Sequence, residues 1–152
     1  MRLWLDDVRD PEKREYFGVN DEVHLPSMNW VWVKTYEQAI AALETGEVTC
    51  ASLDHDLDFA CPDCERAFEK MRKEGGKYHG FQNGYVWDDR HWEPYLVCNH
   101  KNGYDVVRWM DKHNVWPAQG VRIHSANARG AARMKQLVDA HYNALRTDGD
   151  GI

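Results

Sequence analysis

CASLDHDLDF, residues 50–59, joins an apolar run ending at Leu53 to a turn carrying Asp54, His55 and Asp56. Extended backwards, VTCASL at 48–53 is short and apolar enough to read as a buried strand. Two carboxylates and an imidazole at the end of such a strand are expensive to desolvate unless something compensates them. The same pattern occurs twice more. RLWL at 2–5 stops at Asp6 and Asp7, and GVRIHS at 120–125 runs into His124, Ser125 and then Asn127. A further run, WVWV at 30–33, is rich in the aromatic and β-branched residues that strands favour.

Helical patterns fall between these runs. Thr35 and Gln38 form a capping pair ahead of Ala39, Ile40 and Leu43, and Gly46 closes that helix. Asn102 caps a second helix carrying Val106, Val107, Trp109 and Met110, which stops near Asn114 to Pro117. Ala131, Met134, Val138, His141 and Leu145 recur at spacings of three and four, giving a last helix over 128–146 and a loose tail at 147–152. Strands alternating with helices predict an α/β layer with a parallel sheet.

Composition fits one domain over 1–152 with an insertion at 58–101. The chain has 152 residues, 43% of them hydrophobic, enough for one packed core. No apolar run approaches the ~20 residues that span a bilayer, which excludes a membrane partner. MRLWLDDVRD meets two carboxylates after four residues and does not read as a signal peptide, so a cytoplasmic protein is expected. Four cysteines in that compartment are thiols or metal ligands rather than disulfides. A formal charge of -6 argues against gripping long duplex nucleic acid by its phosphates, but leaves a nucleotide or an RNA end open. The oligomeric state is not legible.

In open parallel sheets ligands bind beyond the carboxyl ends of the strands. Asp6, Asp7, Asp54 and Asp56 therefore form a candidate metal site, because close carboxylates repel unless a cation compensates them. Oxygen donors suit Mg²⁺ or Mn²⁺, and His55 and His124 could add nitrogen ligands for Mn²⁺, Fe²⁺ or Zn²⁺. Each piece also has a structural reading. The aspartates can cap turns, each histidine can be a hydrogen-bonded structural group, and Ser125 and Asn127 can cap the final helix.

LWLDDVRDP, SLDHDL, NGYDVVRWM and RIHSAN with its following helix together resemble the cyclic-phosphate processing receiver-like family. The resemblance implies a receiver-like (flavodoxin-like) parallel sheet with helices on both faces. It matches Asp6 and Asp7 to the acidic pair that holds Mg²⁺ in receivers, Asp54 to the phosphoacceptor, and Ser125 with Ala126 to the small hydroxyl position. The chain departs from receivers in lacking a clear fifth strand and the lysine that ends it. The family further suggests RNA repair, or defence and counter-defence against phage.

Opening a cyclic phosphate needs a nucleophilic water, a proton for the leaving oxygen and positive charge against the phosphoryl group. A metal on the aspartates would supply charge and an activated water. Asp54, His55, His124 and Ser125 are the candidate catalytic groups, with His55 and His124 sharing acid and base roles in an order the sequence does not fix. Arg9, Asn127 and Arg129 are candidate phosphate contacts, beside the free amides at the start of the last helix. Surface ion pairs are the bland alternative for both arginines. The expected function is a metal-dependent phosphoesterase, a hydrolase, acting on a cyclic phosphate of a nucleotide or RNA end. The alternative is a non-catalytic module binding a metal, nucleotide or protein partner.

The insertion holds Cys61, Cys64, Cys98 and His100, a set suited to structural zinc, with His79 and His91 as rivals for the fourth place. Cys50 reads as a core thiol. Tyr78, Phe81, Tyr85, Trp87, Trp92 and Tyr95 either stack a base or build a small zinc-stapled core, and the segment can form a lid over Asp54 and His55.

Overall fold

The computed structural model of the protein describes residues 1–12 and 29–150. Four parallel strands form the main sheet: β1 (Arg2–Leu5), β2 (Trp30–Val33), β3 (Cys50–Leu53) and β7 (Val121–Ile123), ordered β2-β1-β3-β7. β3 starts two residues later than the apolar run suggests, and β7 is limited to three residues. Among the described residues no fifth strand joins this sheet.

The register decides which side chains meet. Leu3 lies beside Ala51 and Leu5 beside Leu53, which in turn pairs with Ile123. Because a strand alternates its faces, these residues form one surface. Three helices close over that surface: α1 (Tyr36–Glu44), α3 (Gly103–His113) and α4 (Ala128–Asp150). Ala39, Ile40 and Leu43 from α1, Val106, Val107 and Met110 from α3, and Met134 and Val138 from α4 complete the core. The resemblance implies helices on both faces; among the described residues, α1, α3 and α4 all lie on this one.

Trp4, Trp30 and Cys50 are buried on the opposite face, with Trp32 packed against them. The indoles also hold the loop after β1. Trp32 Nε1 donates to the Asp6 carbonyl at 2.7 Å, and Trp4 Nε1 donates to the Arg9 carbonyl at 2.8 Å.

Local chemistry sets the helix ends. The Thr35 hydroxyl accepts from the Gln38 amide, and Asn102 makes a full capping box with Asp105. Asn114 closes α3 in the left-handed conformation. The last helix runs through Asp150, so the tail expected to be loose is helical at least that far. No described helix is long and apolar enough to cross a membrane.

The inserted segment has its own architecture. A 3₁₀ turn at Asp58–Ala60 leads into α2 (Pro62–Glu74), followed by an antiparallel sheet of β4 (Tyr78–Gln82), β5 (Tyr85–Asp88) and β6 (Tyr95–Leu96). Buried Asp88 braces it, accepting from the Tyr95 hydroxyl at 2.7 Å and from the Arg90 and His91 amides at 3.0 Å each.

Candidate metal centres and the cavity beside them

Asp6 and Asp54 extend β1 and β3 by one residue, so the strand ends bring them together. The Asp54 amide donates to the Leu5 carbonyl at 2.8 Å, continuing the ladder past the last paired residues. Asp6, Asp7 and Asp54 each offer a carboxylate oxygen within 4.8 Å of the others, and could hold a metal ion. The site is deep: Asp6 is 1% exposed and Asp54 7%. Burial raises the Asp54 carboxyl to about 7, with Asp6's charge adding to the effect against the His55 amide, Arg9 and Ser125. Burial likewise raises Asp7 to about 6, against the Phe59 amide. A divalent cation fits this donor set, because it would return both groups to the carboxylate form that hard oxygen ligation needs.

Period-two alternation separates Asp54 from its neighbour. Asp54 follows the tryptophan face, whereas His55 passes to the helix face, where an added Cβ on Gly130 of α4 would lie 2.4 Å from the His55 ring. Glycine at 130 is thus what lets α4 close over the imidazole. His55 Nδ1 lies 2.6 Å from Asp56 Oδ1. On the same side Gly103 begins α3 so close to Asp54 that a Cβ there would meet its carbonyl oxygen at 1.8 Å.

His124 follows the tryptophan face instead. Its ring stacks on Trp4 at 3.8 Å, with Nδ1 2.7 Å from Ser52 Oγ and Nε2 3.0 Å from Asp6 Oδ2. The Ser52–His124–Asp6 series has the outline of a catalytic triad, yet Ser52 is fully buried on the sheet. It works as a brace. The other Asp6 oxygen accepts from the Val8 and Arg9 amides at 2.8 and 2.7 Å, so the carboxylate is held on both sides.

A cavity of about 570 Å³ opens over the three aspartates. Its lining also includes Arg9, Asp56, Asp58, Ser125 and Asn127, together with Phe59, Phe81, Gln82 and Trp87 from the insertion. The insertion therefore contributes residues to the same cavity as the strand ends. Arg9 lies 3.7 Å from Asp6 and donates to the His124 carbonyl at 3.3 Å. Ser125 hydrogen-bonds Asp54. Asn127 caps α4 through the Gly130 amide at 3.0 Å and also donates to Asp56 Oδ1 at 3.1 Å.

Four candidates stand outside the trio. Asp56 lines the cavity but stands outside the metal-binding trio. Burial acts to raise its carboxyl, yet donors from His55, Asn127, Gln82 and Asn83 outweigh it and hold Asp56 well below the usual carboxylate range. Arg129 is exposed and, with His55, lines a second cavity of about 770 Å³. Neither His55 nor His124 lines the acidic cavity, so the two imidazoles do not face each other across it.

The second cluster lies in the insertion. Cys61, Cys64, Cys98 and His100 present donor atoms that all lie within 4.8 Å of one another. Cys61 Sγ is 3.5 Å from Cys98 Sγ, and His100 Nδ1 is 3.2 Å from Cys64 Sγ and 3.5 Å from Cys98 Sγ. Burial, with the neighbouring thiols, pushes the Cys64 thiol far up, an arrangement suited to a soft cation that binds thiolates. His100 Nε2 lies 3.2 Å from Asp58 Oδ1, a close approach in which neither buried atom closes a hydrogen bond. Contact with Asp58 raises His100 to about 9 against its burial. The rival histidines are engaged otherwise, His79 with Asp89 and His91 with Asp88.

A family model for the cyclic-phosphate processing receiver domain matches residues 1–140. The chain belongs to that family. No curated protein and no solved structure gives a significant match. In this receiver domain the strand ends assemble Asp6, Asp7 and Asp54 beside Ser125 and Arg9, while His55 pairs with Asp56 and Arg129 lines the second cavity. Sequence reasoning passed over Asp58 and Ser52. Ser52 shares the parity of Asp54 and could have been placed on its face; nothing in the spacing of Asp58 points to His100.

Proposed function

We propose that this receiver domain is a metal-dependent phosphoesterase that opens a cyclic phosphate on a nucleotide or RNA end. The observation that carries the reading is the trio Asp6, Asp7 and Asp54 lining one cavity together with the aromatic residues Phe59, Phe81 and Trp87. A Mg²⁺ or Mn²⁺ ion on the trio supplies Lewis acidity and positive charge against the phosphate. The Arg9 guanidinium, at the rim, is placed to orient phosphate oxygens, and Ser125 Oγ to donate to one. Phe59, Phe81 and Trp87 offer faces on which a nucleobase can stack, each such contact contributing ~1–3 kcal/mol.

The imidazoles take supporting roles. His124 orients Asp6, and His55 orients Asp56 and through it the wall of the cavity. The Cys61, Cys64, Cys98 and His100 cluster is read as structural zinc, with Asp58 orienting His100 from outside.

A second reading, a non-catalytic module that binds metal and nucleotide, is favoured by the lack of an imidazole lining the acidic cavity. Product analysis decides between them. The protein is incubated with 2′,3′-cyclic and 3′,5′-cyclic nucleotides and with short RNA ending in a cyclic phosphate, with and without Mn²⁺ or Mg²⁺. Metal-dependent ring opening, absent in Asp54→Ala, supports the enzyme. Bound metal without turnover on any substrate transfers the reading to the module.

A further inference from the structure

One short turn connects the two clusters. Its first residue, Asp58, faces His100, its second, Phe59, donates its amide to Asp7 Oδ2 at 2.8 Å, and Cys61 follows directly. Buried Leu57 anchors the turn from the N-terminal side, and the Phe59 ring stacks on Phe68 at 6.0 Å. The Phe59 side chain is 72% exposed, and the turn closes on itself through the Cys61 amide to the Asp58 carbonyl at 3.1 Å. Asp58 Oδ2 accepts from the Asn83 amide at 3.1 Å, and Asn83 Nδ2 donates to Asp56 Oδ1 at 2.7 Å, so the same residue reaches the cavity wall.

We propose that the Cys61/Cys64/Cys98/His100 centre sets the metal affinity of the acidic centre, with Asp58 and the Phe59 amide as the positioning link. The inference rests on reading both clusters as metal centres. An ion on the thiolates fixes Cys61 at one end of the turn and His100 against Asp58 at the other. The turn then holds the Phe59 amide on Asp7, leaving the carboxylate in one orientation. With the thiol centre empty, the contacts among Cys61, Cys64, Cys98 and His100 are weak sulfur hydrogen bonds, and Asp7 is free to rotate away from Asp6 and Asp54. Outer-shell partners of metal ligands typically change affinity ~10–100-fold, which sets the size expected here. Coupling between two binding sites is reciprocal, so Mn²⁺ at the acidic centre must tighten zinc by the same factor.

The test uses the full chain, zinc-loaded and zinc-stripped, with two measurements: Mn²⁺ affinity, and amide hydrogen exchange at Phe59 and Asn83 read by NMR. The expected results on stripping are about tenfold weaker Mn²⁺ binding and at least tenfold faster exchange at both amides, with β1 and β3 amides unchanged. Asp58→Ala at full zinc occupancy should reproduce the Mn²⁺ loss, and Asp58→Asn should restore part of it; this pair applies even if stripping disorders the whole insertion. Unchanged Mn²⁺ affinity and unchanged Phe59 exchange overturn the link while the acidic centre stands. Zinc-dependent exchange in a chain that binds no Mn²⁺ overturns the acidic centre as a metal site and keeps the link between the thiol centre and the turn. A chain that takes up no zinc overturns the proposal outright.

Discussion

The acidic and the thiol clusters solve opposite problems. Asp6, Asp7 and Asp54 come from two strand ends far apart in sequence, joined by the sheet register. Their positions are set by a packed core on one side and stacked indoles on the other. The thiol cluster gathers Cys61 and Cys64 with Cys98 and His100 across a small sheet whose described core is far thinner, with Val86 and Cys64 fully buried while Trp92 is 94% exposed. The first cluster is prepared by the fold and loses stability from its own charges; the second lends stability to its surroundings once an ion binds.

Asp54→Asn gives the largest contrast. Under the proposed function it should lower turnover by at least about a thousandfold, and it should raise the melting temperature of the metal-free protein by a few degrees, since it removes a buried repelling charge. A melt and a rate measured on one preparation check both; a lower melting temperature would contradict the charge-strained floor. Cys64→Ser comes next and should do the reverse. It should abolish zinc uptake and deprotect amides over 58–101, while the parallel sheet keeps its protection. Zinc content by atomic emission and hydrogen exchange read this directly.

The two histidines sharpen the comparison within the acidic site. His124→Ala should weaken Mn²⁺ ~10–100-fold by freeing Asp6, with partial recovery in His124→Gln, whose amide can again donate to the carboxylate. His55→Ala should cost about 2–4 kcal/mol of stability by leaving a void beneath Gly130 and removing one of the donors to Asp56. Its Mn²⁺ affinity should shift less than about threefold, as for sites with separate partners. Equal losses of affinity in both variants would show that the imidazoles share the cavity after all.

The smallest effect is the pH dependence of stability, measured with zinc loaded and no other divalent ion. Asp7 and Asp54 are raised to about 6 and about 7 from 3.8, so their stabilising contribution is complete below pH 3.8 and is lost as pH rises through those values. The melting temperature should therefore rise by a few degrees as pH falls from 8 to 5. Asp56 runs the other way but only at far lower pH, because its carboxyl is held down. Saturating Mn²⁺ should flatten or invert the slope, since the ion favours the ionised carboxylates.

Much of this was legible before the structure. Aspartates after RLWL and CASL and the histidine closing VRIH point to strand ends, and parallel sheets collect strand ends on one edge, so Asp6, Asp7 and Asp54 could be grouped from topology, with Asp56 counted beside them. Cys61, Cys64, Cys98 and His100 followed from residue chemistry. The shared acid and base roles expected of His55 and His124 gain no support from the acidic cavity, whose lining includes neither ring. Both histidines follow strands, but His55 stands at odd parity beside even Asp54, and only the registers of β1, β3 and β7 place Ser52, His124 and Asp6 in one series. Asp58 was invisible because its partner His100 lies beyond the whole antiparallel sheet.

That separation also bears on how the chain folds. β3 must wait for β7, which lies past the entire insertion and α3, and closing so long a loop is a slow, entropically opposed step. A cross-link from Cys61 and Cys64 to Cys98 and His100 ties off most of that loop at its base, leaving a much shorter effective tether between β3 and α3. An ion on the thiols should then act as a kinetic staple as well as a structural one, so that refolding of the parallel sheet is faster in the presence of zinc than in its absence.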